Sequence, residues 1–164
     1  MDPMTTKLQP DPDGIDASLV PQTSAGVFAC EPCLERDRCR MGILATRLEG
    51  QTLWLDIEVP DEYREAGGLA HSSWVAGIMA EICGLLPPFL GVVVFVGTVT
   101  LRINSGVPMG QRLLGRVWLD EQQGRKVYVR ASLSTEASGV EHVTASAITI
   151  TIQHRNLEER GQAR

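Results

Sequence analysis

The sequence predicts an α+β domain in which a curled antiparallel sheet wraps one central helix of about Ser72 to Leu86. Three observations carry this. One stretch places apolar residues at helical spacing and holds a single charge, Glu81. On both sides of it the apolar pattern has a period of two, as in strands with one face on a core. After it, Gly-containing turns recur at intervals of about 15 residues, as they do between long antiparallel strands.

The 164 residues (17.9 kDa) suffice for one domain with a sizeable core. A content of 43% hydrophobic and 21% charged residues excludes disordered, collagen-like and disulfide-scaffold classes. The longest apolar candidate for a membrane span, Ile78 to Val96, is interrupted by Glu81, Pro87 and Pro88. The start, MDPMTTKLQPDPD, lacks the basic and apolar regions of a signal peptide, so a cytoplasmic protein is expected. The net charge of −5 argues against a nucleic-acid partner.

Residues 1–26, with Pro3, Pro10, Pro12 and Pro21 and no periodic pattern, read as a flexible N-terminal segment ahead of a domain over 27–153 and a tail over 154–164. Cys30-Glu-Pro-Cys33 is followed after five residues by Cys39. Three thiols at such spacing can chelate zinc, but a structural site takes four ligands and nothing nearby in sequence supplies the fourth, so three reduced cysteines are expected, without metal or redox chemistry. Ile43 to Leu48 and Thr52 to Val59 read as a hairpin around Glu49-Gly50. Pro60 to Ala70 is a loop whose Gly67-Gly68 suits an unusual backbone just before a helix.

In that helix Ser72 and Ser73 can cap the free amides, and Pro87-Pro88 is expected to stop it. Trp74, Val75, Ile78, Met79, Ile82, Leu85 and Leu86 share one face, while Ala76, Gly77, Ala80, Cys83 and Gly84 are small and uncharged. The helix therefore reads as buried nearly all round. Glu81 projects beside Gly77 and Gly84, where missing side chains leave room for another backbone or a ligand. A buried carboxylate is partnered, protonated or used in chemistry, and helix geometry alone leaves these open. Thr98 to Asn104, Arg112 to Asp120, Lys126 to Ser134 and Val143 to Gln153 then read as an antiparallel meander.

Two strands, a buried helix and four long strands over about residues 28–153 resemble the hotdog fold. The stretch Gly67-Gly-Leu-Ala-His-Ser-Ser-Trp-Val-Ala-Gly-Ile-Met-Ala-Glu81 is similar to the "HGG" segment and following helix of acyl-CoA thioesterases of the PaaI-like group. Thr98 to Leu119, with its Val-Pro-x-Gly turn, resembles the same group, and the Cys30-x-x-Cys33…Gly42 approach is similar to a Cys-rich segment in some of its members. The resemblance implies hydrolysis of a thioester of coenzyme A or acyl carrier protein, with no cofactor beyond the coenzyme A moiety of the substrate. It implies a helix carboxylate as base or nucleophile, and helix-start amides that polarise the carbonyl where negative charge develops.

The sequence departs from that pattern in three places. Ser72 and Ser73 stand where two glycines are usual, the usual acid position is Ala80 with Glu81 next to it, and Arg38-Cys-Arg-Met-Gly42 replaces an Asn-Pro-x-Gly motif. The expected catalytic residues are Glu81 and His71, with Ser72, Ser73, Gly68 and Gly77 as oxyanion and substrate-binding positions. A histidine next to a helix start also serves as a capping or packing residue, which is the other reading of His71. Arg102, Arg112, Arg116 and Arg130 are candidates for coenzyme A phosphates, against surface ion pairs, and Trp74 and Trp118 for an acyl pocket, against core packing. Two alternatives stand beside hydrolysis: a non-catalytic thioester-binding protein, and a hydratase or dehydratase that would need His71 and Glu81 to meet across subunits. A single sheet on a single helix leaves an edge and a cleft exposed, so a homodimer or homotetramer with the site at the shared interface is expected.

Overall fold

The computed structural model describes residues 7–28 and 30–153. A short helix α1 (Glu31–Glu35) precedes the hairpin β1 (Ile43–Glu49) and β2 (Thr52–Ile57). The long helix α2 (Ser72–Phe89) follows, then β3 (Val94–Ile103), β4 (Leu113–Gln123), β5 (Lys126–Thr135) and β6 (Glu141–Thr151). The strands form one antiparallel sheet in the order β1-β2-β4-β5-β6-β3.

The alternating pattern builds this sheet with one face inward. Leu53, Leu55 and Ile57 of β2, Leu113 and Val117 of β4, Leu133 of β5 and Val143 of β6 are fully buried. They join Trp74, Ile78, Met79, Ile82 and Leu86 of α2 in one core. Each such side chain contributes about 1.5–3 kcal/mol on leaving water, which fixes the helix against the concave face. By length and composition α2 could cross a membrane, but here the sheet supplies its apolar surroundings.

The meander expectation holds for β4, β5 and β6 and fails for β3, which pairs with β6 at the far edge. The connection over 104–112 explains the crossover. Its Val107 carbonyl accepts from the Ala70 amide at 2.8 Å, and its Met109 amide donates to the Gly68 carbonyl at 2.9 Å. Val107 and Met109 are buried, so the segment is anchored to the loop before α2 and carries the chain along the end of the sheet.

Two expectations for α2 are corrected. The helix runs through Pro87 and Pro88 to Phe89 rather than stopping before them. Proline's φ suits a helix, and the cost of two missing amides is limited in a last turn whose Pro87 and Pro88 carbonyls accept from the Val92 and Gly91 amides. Nor is α2 buried all round: Ala76 and Glu81 are exposed and Gly77, Ala80 and Gly84 half-buried, while Cys83 belongs to the core. The room beside the glycines is occupied by the chain itself. A Cβ on Gly77 would lie 3.0 Å from Met41 Cε, and one on Gly84 would lie 3.1 Å from Val96 Cγ2.

The segment expected to be flexible is laid against the domain over its described part. Leu8 and Ala17 are buried, the Leu8 amide donates to Gln51 Oε1 at 3.1 Å, and Gln122 exchanges two hydrogen bonds with the Gln9 backbone at 2.7 and 3.1 Å. Prolines suppress a regular element without preventing such side-chain and bridge contacts. The expected tail over 154–164 lies outside the described residues.

Candidate functional site

The approach to α2 is a tight loop. Gly67 and Gly68 take φ of 82° and 72°, the left-handed conformation the sequence anticipated. The Glu65 amide donates to the Leu69 carbonyl at 2.8 Å and the His71 amide to the Tyr63 carbonyl at 2.7 Å. These bonds aim His71 into the first turn of the helix.

His71, not a serine, caps α2. Its Nδ1 accepts from the Ser73 amide at 3.1 Å and lies 2.7 Å from Ser73 Oγ. An imidazole nitrogen that accepts from an amide carries no proton, which assigns the neutral ring's proton to Nε2, 3.4 Å from Glu65 Oε1. The Ser73 amide, expected to face a substrate, is thereby committed to the cap. The Ser72 amide has no acceptor among the described residues and carries the positive end of the helix dipole.

Glu81 lies on the open face of α2 and reaches solvent. Desolvation by the surrounding protein raises its carboxyl above the ordinary range, and the Arg40 charge opposes that shift. Arg40 belongs to the turn after α1, which is laid on the same helix face. The Trp74 indole donates to the Met41 carbonyl at 3.1 Å, and the Met41 side chain covers Gly77. Sequence reasoning passed over Arg40 and Met41 as site residues. Their only signal was the basic replacement of a motif that usually carries an amide side chain.

Ten residues of α-helix separate His71 from Glu81 by about 15 Å. One protomer therefore does not bring them together. Of the arginines, Arg112 lies 3.8 Å from Asp56, Arg130 pairs with Asp120 at 3.0 Å, and Arg116 stacks between Trp54 and Trp118 with centroid distances of 5.3 and 4.7 Å. Trp118 thus belongs to this stack, and Trp74 is core. Among the described residues no group of three or more His, Cys, Asp or Glu is arranged to hold a metal.

A second polar chain escaped the sequence reading. The buried His142 joins the exposed Ser105 through Nδ1 and the buried Thr135 through Nε2, each at 2.7 Å. Burial lowers the His142 pKa, favouring the neutral ring that these two hydroxyls satisfy. Thr135 reaches His142 across the β5–β6 hairpin, but nothing in sequence spacing links Ser105 to His142, 37 positions on, before the β3–β6 pairing is known.

No protein-family model and no curated protein matches the chain. Solved structures do. Streptococcus mutans UA159 smu.793, bound to acetyl CoA, is 16% identical with a TM-score of 0.60, covering 65% of this chain and 86% of its own. A hypothetical thioesterase protein with coenzyme A from Streptococcus pneumoniae TIGR4 is 12% identical with a TM-score of 0.60, covering 65% and 83%. Zebra fish thioesterase superfamily member 2 is 12% identical with a TM-score of 0.56, covering 65% and 79%. The chain shares their fold, the hotdog arrangement of a curled antiparallel sheet around one long helix.

Proposed function

We propose that the protein hydrolyses acyl or aryl thioesters, carried by coenzyme A or acyl carrier protein, at a site completed by two copies of the chain. The observation that carries this reading is Glu81, a solvent-reaching carboxyl whose pKa is raised by burial against the opposing Arg40 charge, on a partly covered helix face otherwise made of small residues. Such a carboxylate is more basic than usual and suits proton abstraction from water or direct attack on a thioester carbonyl. The free Ser72 amide suits the oxyanion that forms there. Coenzyme A and acetyl CoA, named with two of the similar structures, support this substrate class.

The two groups are nine residues apart on one helix, about 13 Å along its axis. A second copy with its α2 antiparallel to the first would set Ser72 of one chain against Glu81 of the other. Pairing would also cover the β3 edge, where Phe95 and Ile103 are exposed.

Ala80, standing at the usual acid position, supports a second reading as a thioester-binding protein without turnover. The hydratase alternative draws no support within one protomer, where His71 Nε2 lies 3.4 Å from Glu65 Oε1 of its own loop and ten helical residues from Glu81. Thiol release from a panel of short, medium and aromatic acyl-CoAs separates the two remaining readings. Hydrolysis predicts release that falls about a hundredfold or more in Glu81→Ala. Tight binding without release supports the binding protein.

A further inference from the structure

The short helix α1, ahead of the turn that carries Arg40, holds two thiols in contact. Cys30 and Cys33 are three residues apart at the start of α1, with their Sγ atoms 3.4 Å from each other. Cys30 is exposed and Cys33 buried. Cys33 Sγ also accepts the Arg40 amide at 3.4 Å. Burial pushes the Cys33 thiol pKa up, the Arg40 amide opposes this, and the neighbouring Cys30 adds to it. Cys39 and Cys83 are buried, and the Cys83 thiol is pushed up to about 12 by desolvation within the core.

We propose that Cys30 and Cys33 are a modification site, a dithiol that closes to an intramolecular disulfide by exchange with a small-molecule disulfide such as oxidised glutathione. The exposed Cys30 thiolate attacks one glutathione sulfur, forming a mixed disulfide and releasing one glutathione thiolate, which takes up a proton. The Cys33 thiolate then attacks Cys30 Sγ and releases the second glutathione. Two protein thiols are oxidised, and one glutathione disulfide is reduced to two thiols. The sulfurs need only close from 3.4 Å to about 2 Å, within reach of side-chain rotation on one helical turn.

Closure draws toward Cys30 the sulfur that anchors the Arg40 amide, and the Arg40 charge opposes the rise in the Glu81 pKa. The redox state of the pair thereby bears on the candidate site, a consequence that rests on the thioester reading. The bond itself does not, and its test needs no enzymatic activity.

The full-length protein is equilibrated over a series of reduced-to-oxidised glutathione ratios, quenched, denatured and alkylated, and its free thiols are counted by intact mass. The wild type is expected to fall from four free thiols to two with no glutathione retained, and Cys39→Ser to lose the same two. Cys33→Ser is expected to hold one glutathione on Cys30, the trapped intermediate, and Cys30→Ser to form no internal bond. Four free thiols at every ratio, a bond mapped to Cys39, or zinc retained stoichiometrically by the purified protein would overturn the proposal.

Discussion

The backbone amide of Ser73 donates to His71 Nδ1 at 3.1 Å, so the residue expected to do chemistry is the one that closes the start of α2. This bond removes one of the two amides from the pool available to a substrate and leaves the Ser72 amide at the mouth of the helix. It also makes His71 a positioning residue for the loop that carries Gly67 and Gly68.

Loss of the cap has a measurable cost. His71→Ala is expected to lower unfolding stability by about 1 kcal/mol, the usual cost of removing a helix cap. His71→Asn, whose side-chain oxygen can accept from the Ser73 amide, recovers most of it. Urea denaturation of the three proteins checks this, and equal stability of His71→Ala and wild type would deny the cap its role.

The raised Glu81 pKa fixes the sign of a pH effect. The folded protein holds this proton more tightly than the unfolded chain, so Glu81 destabilises the fold increasingly as pH rises past the ordinary glutamate value of about 4.3 and through the raised one. Glu81→Gln does not titrate. Its melting temperature should match wild type in acid and exceed it progressively toward neutral pH, as followed by thermal denaturation in matched buffers. A constant offset, or a gap of opposite sign, would contradict the shift.

Trp74 ties the Arg40–Met41 turn to α2 through its indole and the Met41 carbonyl at 3.1 Å. Trp74→Phe keeps an aromatic ring in a fully buried position but leaves that carbonyl without its donor. A loss of about 1–3 kcal/mol is expected from chemical denaturation. Faster amide hydrogen exchange in residues 38–42 should accompany it.

How much of this was readable in the sequence follows the range of the interactions. Leu53, Leu55 and Ile57, and Trp74, Ile78 and Ile82, announce a strand and a helix by period alone, because burial on one face is a local pattern. The β3 edge was not readable. It depends on Val107 and Met109 anchoring a connection to Ala70 and Gly68, contacts about forty residues apart in the chain. At the site, Glu81 stood out as the helix's lone charge, but the face it occupies was misjudged. Small residues look the same whether they pack against the core, lie exposed as Ala76 does, or sit beneath Met41 as Gly77 does. The basic replacement of the Asn-Pro-x-Gly motif marked the Arg40 segment, but spacing gave no sign of its contribution at Glu81, which arises from a turn folded across the helix.

In the proposed site, Ser72 of one copy and Glu81 of another serve one thioester. Ser72→Pro removes the amide while fitting the first helical position, and His71, with φ −61° and ψ 139°, already has the extended backbone that precedes proline. Thiol release is then measured for Ser72→Pro alone, Glu81→Ala alone, and the two co-expressed and re-purified together. Each variant alone is expected to be inactive. Random mixing should restore about a quarter of wild-type activity, because half the dimers are mixed and each of those holds one intact site. No recovery from verified mixed dimers, with wild type active, would contradict the two-copy site.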